Sequence, residues 1–207
     1  MNANVIMSSF DERKPIIIDE IQEVLKIDNK NSLNQMVSYL VSFGIIKCFE
    51  NGIYYIPSSI KKFSHLEPSL KDVIQKKYLQ NNQGLRTGSY LLYKYKLSSQ
   101  ISSSYYELLS NNVSSQTRSK HLYNDKVSVS YPPFKINSKN KNYLEFLEMI
   151  KYIHFSDYSI DESKRQLSDI IRQLSLNKKK VVDYSQYYNG RRYAGFRDKV
   201  TVIVQYE

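Results

Sequence analysis

The sequence contains a single cysteine, Cys48, so the chain cannot form an internal disulfide. A chain without disulfides is typical of a reducing compartment, and Cys48 is expected to be a small buried hydrophobe rather than a reactive thiol. No run of residues approaches the roughly eighteen apolar positions that a membrane-spanning helix needs. The first residues, MNANVIMSSFDERK, lack the basic and apolar regions of a secretory signal. We therefore expect a cytoplasmic protein that does not enter a membrane.

The sequence also lacks the motifs that carry common enzymatic chemistry. It contains no GxxxxGK[ST], no GxGxxG after a strand and no HExxH. The three histidines, His65, His121 and His154, lie far apart and outside any cysteine-rich cluster, so no metal site is expected. The acidic pairs Asp19-Glu20 and Asp161-Glu162 are typical of first helical turns, where they meet the positive end of the dipole. We therefore predict no catalytic residues, no cofactor and no enzymatic activity.

The charge balance is basic but uneven along the chain. Thirty Lys and Arg residues stand against twenty Asp and Glu residues, which gives a net charge of +10. Residues 1–60 contain five bases and seven acids, whereas residues 61–207 contain 25 bases and 13 acids. An excess of positive charge favours a polyanionic partner such as nucleic acid. Charge alone would place that contact in the C-terminal two-thirds of the chain.

The N-terminal residues show the pattern of three helices. A short helix is predicted over 3–13, and a second one begins at Asp19 as N-cap and runs through DEIQEVLKI. A third helix is predicted in LNQMVSYLVSF, because its apolar residues recur at helical spacing, with Asn31 or Ser32 as cap. Gly44 stands where a helix C-terminal cap is expected.

The stretch GIIKCFENGIYYIP, residues 44–57, follows directly and is predicted to be a β-hairpin. Its Asn51-Gly52 pair favours a type I′ turn, which needs positive φ at both central residues. Helix, helix, turn, helix and hairpin is the order of a winged helix-turn-helix, whose third helix enters the major groove of DNA. A polar, solvated helix face would give the same pattern. The predicted DNA-binding residues are Lys30, Asn31, Ser32, Asn34, Gln35, Ser38 and Tyr39 on the third helix, and Lys47, Asn51, Tyr54 and Tyr55 on the hairpin.

The remaining residues predict a larger mixed α+β domain. Helices are expected in LKDVIQKKYLQ, SYLLYKYKL, NYLEFLEMIKYI and SIDESKRQLSDIIRQL, and strands in YYELLS, VSVSY and the β-branched terminal segment KVTVIVQY. The expected fold class is thus α+β, with a winged helix-turn-helix over 1–60, a linker over 61–67 and a C-terminal domain over 68–207. A second basic surface is predicted from residues Lys76, Lys77, Arg86, Arg118, Lys120, Lys178, Lys179, Lys180, Arg191 and Arg192.

Several short motifs in residues 20–155 follow the pattern of AbiEi-type antitoxins. They are a helix before Thr87-Gly88, a helix ending at Leu97 with Gln100, and a strand from Tyr106 to Asn111. Arg118, the VSVSYPPFKI strand, the NYLEFLEMIKYI helix and the upstream GIYYIP also stand where that family has them. The usual GLTTQ appears as Lys96-Leu97-Ser98-Ser99-Gln100, with lysine in place of glycine.

The resemblance implies a type IV toxin–antitoxin system that gives phage resistance by abortive infection. The N-terminal winged helix would bind inverted repeats in double-stranded DNA and repress its own operon, with two copies on the DNA. The C-terminal domain would oppose a nucleotidyltransferase-like toxin without the need for a stable complex.

Two other readings fit the same residues. The chain could be a plain winged-helix regulator whose C-terminal domain serves oligomerisation or sensing. It could also be an RNA-binding protein that uses its basic, tyrosine-rich C-terminal unit.

Overall fold

The chain folds as an α+β protein with two compact units, Met1–Gln80 and Asn81–Glu207. A computed structural model describes residues 2–100, 105–114, 120–124 and 126–206. Helices account for most of the regular structure, and the strands form one small sheet in each unit. In these described ranges, every helix is too short or too polar to cross a lipid bilayer.

The N-terminal unit combines helices with a three-stranded antiparallel sheet of order β1-β3-β2. Its elements are α1 (Asn2–Ser9), β1 (Ile16–Ile17), α2 (Ile18–Leu25), α3 (Lys30–Ser42), β2 (Lys47–Glu50), β3 (Ile53–Tyr55) and α4 (Leu70–Ile74). Ile6, Ile21 and Leu40 are fully buried, so α1, α2 and α3 contribute to one apolar core. The three N-terminal helices and the hairpin that the sequence predicts are therefore confirmed as elements. Their ends differ from the prediction, because α1 ends at Ser9, Asp19 lies inside the first turn of α2, and Asn29 rather than Asn31 or Ser32 caps α3.

The first unit extends further along the chain than expected. The sequence predicted a linker over 61–67 and a new domain from residue 68, whereas the division between the compact units follows Gln80. Helix α4 continues as a π-helical turn over Gln75–Leu79, in which Tyr78 is buried. Lys76 forms an ion pair with Glu20, and Lys77 forms one with Glu50. These contacts hold α4 and its extension within the N-terminal unit.

The hairpin differs in detail from the sequence prediction. Among its two central turn residues, Gly52 has a φ of +80°, while Asn51 does not have positive φ. A type I′ turn needs positive φ at both central residues, so the predicted type I′ turn is wrong. Cys48 pairs with Tyr54 and Glu50 with Ile53, so Phe49 is an extra residue in a β-bulge.

Cys48 also differs from the prediction, because it is exposed rather than buried. Strand β2 lies at the edge of the sheet, where both the backbone and the side chains reach solvent more easily. The Cys48 Sγ lies 3.3 Å from the carbonyl oxygen of Glu50. Partial desolvation by neighbouring atoms, and the negative charge of Glu50, raise the pKa of its thiol, which therefore carries little thiolate at neutral pH.

The C-terminal unit contains a four-stranded mixed sheet of order β4-β5-β7-β6, in which only β5 and β7 run parallel. Its elements are β4 (Gly84–Arg86), α5 (Ser89–Lys94), β5 (Tyr106–Ser110), β6 (Lys120–Leu122), β7 (Val127–Ser130), α6 (Lys141–Tyr152), α7 (Ile160–Gln173), α8 (Lys178–Ser185) and α9 (Phe196–Gln205). The core of this unit includes α6, where Leu144, Phe146 and Leu147 are fully buried.

The terminal segment KVTVIVQY is helical, so the predicted strand is wrong. It belongs to α9, in which Phe196, Val200, Ile203 and Val204 are buried at a spacing that gives one helix face. β-Branched residues disfavour helices only weakly, and tertiary packing of an apolar face outweighs that preference. Helix α8, which begins with three lysines, was not predicted either.

Candidate nucleic-acid interface

Helix α3 is built to present one face to solvent. The Asn29 Oδ1 accepts hydrogen bonds from the backbone N–H groups of Asn31 (2.8 Å) and Ser32 (3.2 Å), and it thereby caps the helix. Leu33, Val37 and Leu40 are buried on the inner side. The first helical turn and the inner face are thus fixed, which determines the direction of the outer face.

The C-terminal end of α3 is equally well defined. Gly44 has a φ of +69°, and its N–H donates to the carbonyl of Val41 at 3.0 Å. The N–H of Ile45 donates to the carbonyl of Leu40 at 3.0 Å, which completes a Schellman motif. The glycine predicted as a cap therefore ends the helix and leads the chain into β2.

The outer face of α3 is polar and exposed to solvent. The side chains of Asn34, Gln35 and Ser38 are exposed and make no hydrogen bond within the described part of the chain. Lys30, Asn31 and Ser32 are exposed at the start of the same helix, and Tyr39, which is 49% exposed, contacts Phe43 with ring centroids 4.4 Å apart. All seven α3 residues predicted to contact DNA are thus accessible on one helix.

The hairpin residues are not all accessible. Tyr54 and Tyr55 are only 9% and 3% exposed, because β3 is the central strand of the sheet and Tyr54 belongs to the core. Their predicted contact with DNA is therefore corrected. Asn51 is exposed at the tip of the turn. The Lys47 ammonium is exposed and donates to the carbonyl oxygen of Ser64 at 3.0 Å.

Lys47 brings two further cations to the hairpin. The segment after the hairpin forms a 3-10 turn over Lys61–Phe63, and the bond from Lys47 to Ser64 holds this segment against β2. Lys61 and Lys62 are exposed there. The sequence alone places these lysines in the predicted linker. Their position directly behind the GIYYIP strand was the sequence signal that could have identified them.

Lys76 and Lys77 do not contribute to a basic surface on the C-terminal domain. They pair with Glu20 of α2 and Glu50 of the hairpin, and each of the four side chains is about three-quarters buried. They neutralise these two acids of the N-terminal unit. With residues 61–80 included, that unit contains ten bases and nine acids, so its net charge is +1 rather than the −2 of residues 1–60.

The remaining predicted cations belong to separate elements of the C-terminal unit. Lys178, Lys179 and Lys180 are exposed on the first turn of α8, and Arg191 is exposed in the turn before α9. The Arg86 guanidinium lies between the rings of Tyr90 and Tyr106, 4.2 and 4.4 Å from their centroids. Arg118 lies outside the described residues, as do the side chains of Lys120 and Arg192.

The Thr87-Gly88 motif has a structural role. The Thr87 hydroxyl donates to the Glu148 carboxylate at 2.8 Å, and a Cβ at Gly88 would lie 1.8 Å from the Glu107 Oε2. The buried Glu148 also accepts a hydrogen bond from the Tyr188 hydroxyl and pairs with Lys151 at 2.9 Å. This polar network joins the start of α5, helix α6 and the turn after α8.

Electrostatics within the network follow from burial and from Glu148. Burial, together with the adjacent carboxylate, raises the pKa of Tyr188 well above its usual value. Burial lowers the pKa of Lys151, but the Glu148 carboxylate, together with Tyr152 and Tyr193, raises it by more in total, to about 12. Both groups therefore remain protonated at neutral pH, and the network is a stable set of charges rather than an acid–base site.

The other motif residues also stabilise the fold. Leu97 is fully buried, and the Asn111 side-chain amide both donates to and accepts from the backbone of Ile136, at 2.8 and 3.0 Å. Lys96 has a φ of +59°. Glycine is favoured at a left-handed position, so a lysine is strained there.

Two other sources of evidence for a functional site, metal-ligand clusters and similar proteins, give no candidate. Within the described ranges, no group of three or more His, Cys, Asp or Glu side chains is arranged to hold a metal ion. Comparisons with protein-family models, curated proteins and solved structures found no match to this chain. The candidate nucleic-acid interface is therefore the exposed polar face of α3 together with the cations beside the hairpin.

Proposed function

We propose that the N-terminal unit is a winged helix-turn-helix that binds double-stranded DNA through α3. The observation that carries the proposal is the set of exposed polar side chains, without a protein partner in the described residues, on a helix capped at both ends. Asn34 and Gln35 each offer an amide that can form a bidentate pair with adenine in the major groove. A helix that satisfied its polar groups internally would offer no such readout.

The hairpin supports the proposal as a positioning element. β2 and β3 follow α3 through the Schellman turn, in the order expected of a wing. Lys47, Lys61 and Lys62 lie on or beside the hairpin, where ammonium groups can neutralise phosphates on the flanking backbone. The exposed Asn51 at the turn adds a hydrogen-bonding group. With Tyr54 and Tyr55 buried, the wing would contact DNA through its tip and through these cations.

The biological role that we infer is that of a type IV antitoxin and autorepressor. It rests on the resemblance of residues 20–155 to AbiEi-type antitoxins. In this role the chain acts by binding rather than by catalysis, and two copies occupy an inverted repeat upstream of its own operon. The C-terminal unit opposes a nucleotidyltransferase-like toxin, and the system provides phage resistance by abortive infection.

A DNA-binding titration tests the repressor part. The full-length protein is titrated against labelled duplex from upstream of its own gene and against a shuffled duplex of equal composition, in moderate salt. We expect tighter binding to the native duplex, with two copies bound. Equal affinity for both duplexes would contradict specific repression.

Growth rescue tests the antitoxin part separately. The product of the adjacent gene is expressed alone and then together with this protein. We expect growth arrest in the first case and recovery in the second. Undiminished arrest during co-expression would contradict the antitoxin role and leave the DNA-binding result standing.

RNA binding by the C-terminal unit is the second candidate function. The observation that favours it is charge, because residues 81–207 contain twenty bases and eleven acids, a net charge of +9. Exposed lysines at the start of α8 add a local cluster. Titration of the full chain with single-stranded RNA separates the readings: RNA binding with a steep salt dependence that survives Asn34→Ala and Gln35→Ala favours RNA.

A further inference from the structure

An apolar groove of about 510 Å³ opens on the C-terminal unit. It lies between α7, α9 and the 3-10 turn Ile153–Phe155. Leu167 and Ile203 are buried side chains in its lining. The lining is formed by Ile153, His154, Ser156, Tyr158, Ile160, Ser163, Lys164, Leu167, Lys199, Val202 and Ile203.

Large apolar side chains are exposed around this groove. Ile160 is 77% exposed and Val202 56%, and Tyr158 is also exposed in the lining. Phe155, in the adjoining 3-10 turn, is exposed as well. Single exposed hydrophobic residues are common on protein surfaces, but a group of them around a concave apolar surface is typical of an interaction site.

The charge of the groove has one sign. Lys164 and Lys199 are the charged lining residues, apart from the titratable His154, and no carboxylate lines the groove within the described residues. Lys164 pairs with the exposed Asp161 at 3.0 Å. The Lys199 ammonium donates to the carbonyl oxygen of Ile150 at 3.2 Å, and no carboxylate of the described chain lies within ion-pair distance of it. A binding partner could supply the missing negative charge.

The same charge disfavours a second copy as the occupant. In a two-fold symmetric contact the same surface meets itself, so the lysines of one groove would face those of the other. Like charges brought together at an interface reduce affinity. The net charge of +10 adds to this repulsion. The expected occupant is therefore apolar on one side and acidic beside it.

We propose that this groove binds an amphipathic helix of a partner protein, with apolar side chains in the groove and an acidic side chain against Lys199. An amphipathic helix that places its apolar face in a hydrophobic groove is a common mode of peptide recognition. Ile160 and Val202 on opposite helices would enclose the apolar side chains. The proposal goes beyond DNA binding, which involves the other unit.

Two labelled synthetic helices of about 18 residues, long enough to form a helix, serve as probes. Both helices present leucines on one face. The acidic helix has glutamates beside the leucines, and the basic helix has lysines at the same positions. Binding to the full-length protein is measured by fluorescence anisotropy. We expect the acidic helix to bind and the basic helix to bind much more weakly, with the difference reduced at high salt.

Variants then locate the contact. Val202→Glu should weaken binding of the acidic helix roughly ten-fold or more, because it places a charge among the central apolar contacts. Gln205→Glu makes the same change of charge at an exposed position of α9 outside the groove lining and should leave binding nearly unchanged. Lys199→Met should reduce the preference for the acidic over the basic helix, while both helices still bind.

Three results would overturn the proposal. The first is equal binding of the acidic and basic helices to the native protein. The second is equal weakening by Val202→Glu and Gln205→Glu, with circular dichroism showing that both variants are folded. The third is a native dimer in sedimentation that Val202→Glu dissociates, since a second copy would then occupy the groove. DNA affinity measured on Val202→Glu should be unchanged, so failure here is distinguishable from failure of the proposed DNA binding.

Discussion

At the residue scale, Lys96 occupies a left-handed backbone position that disfavours its side chain. Helix α5 ends in a Schellman motif, in which the N–H of Lys96 donates to Tyr93 and that of Leu97 to Leu92. Lys96 therefore adopts a φ of +59°. A side chain with a Cβ is strained there, whereas glycine is not.

Replacing Lys96 with glycine is expected to stabilise the protein. Relief of the left-handed strain should outweigh the greater chain entropy of glycine and raise the free energy of unfolding by about 0.5–1 kcal/mol. Urea unfolding of both proteins measures this difference. Gly44→Ala is the inverse control, because Gly44 has a φ of +69° and open space around its Cβ position, so only backbone strain should destabilise it. A destabilised Lys96→Gly variant would contradict the expectation.

Asn34 and Gln35 are expected to carry sequence preference. Asn34→Ala or Gln35→Ala should lower the affinity for the native upstream duplex by roughly 1–3 kcal/mol and change the affinity for a shuffled duplex little, because each removes a bidentate base contact. Competition binding with the two duplexes measures the change in their affinity ratio. If both duplexes lose affinity equally, α3 does not read bases.

At the element scale, the hairpin and the 3-10 turn act as one positively charged structure. Lys47 joins them through its bond to Ser64, and Lys61 and Lys62 remain exposed on the turn. The acid of the hairpin, Glu50, is neutralised by Lys77. Strand β2 alone has no net charge, because Lys47 and Glu50 cancel. With Lys61 and Lys62 beside it and Glu50 paired to Lys77, the hairpin region is positively charged.

Neutralising the turn should weaken DNA binding without changing specificity. Lys61→Gln with Lys62→Gln should reduce affinity for native and shuffled duplexes alike, and should lower the slope of log affinity against log salt by about one per lost phosphate contact. A salt titration measures both effects. Lys71→Gln, at an exposed lysine of α4 in the same unit, removes one charge rather than two and should change the slope by less than half as much. Equal slopes for both variants would remove the turn from the interface.

At the scale of the whole molecule, the buried network around Glu148 connects distant parts of the C-terminal unit. Thr87, Lys151 and Tyr188 come from three different regions of the sequence and meet at one carboxylate. A buried carboxylate is costly unless its oxygens are satisfied, so each partner stabilises the packing of α5, α6 and α8.

Stability should fall in the alkaline range. Folding raises the pKa of Tyr188 above 10 and that of Lys151 to about 12, so both groups bind protons more tightly in the folded state. Their contribution is complete below pH 10 and decreases as the pH rises toward 12. Thermal unfolding between pH 9 and about 12 should show a falling Tm. Tyr188→Phe should reduce this slope, whereas Tyr187→Phe, at an exposed neighbour, should not.

The sequence by itself determined the local elements with strong periodicity or turn chemistry. The apolar spacing of Leu33, Val37 and Leu40, together with Gly44, fixed α3 and its end, because helix period and left-handed glycine are local properties. The Asn51-Gly52 pair fixed the hairpin for the same reason. The Thr87-Gly88 motif is visible in the sequence, but its structural role depends on Glu107 and Glu148, which are distant along the chain.

Only the tertiary structure decided which side chains are accessible. Tyr54 and Tyr55 lie on a central strand and are buried, while Cys48 on the edge strand is exposed, and strand order is not visible in the sequence. Lys76 and Lys77 pair with acids at positions 20 and 50, contacts that depend on the folded path of the chain. The β-branched α9 became a helix because its apolar face packs on the core. Non-local packing overrides local preference in each of these cases, since burial contributes more free energy than intrinsic propensity.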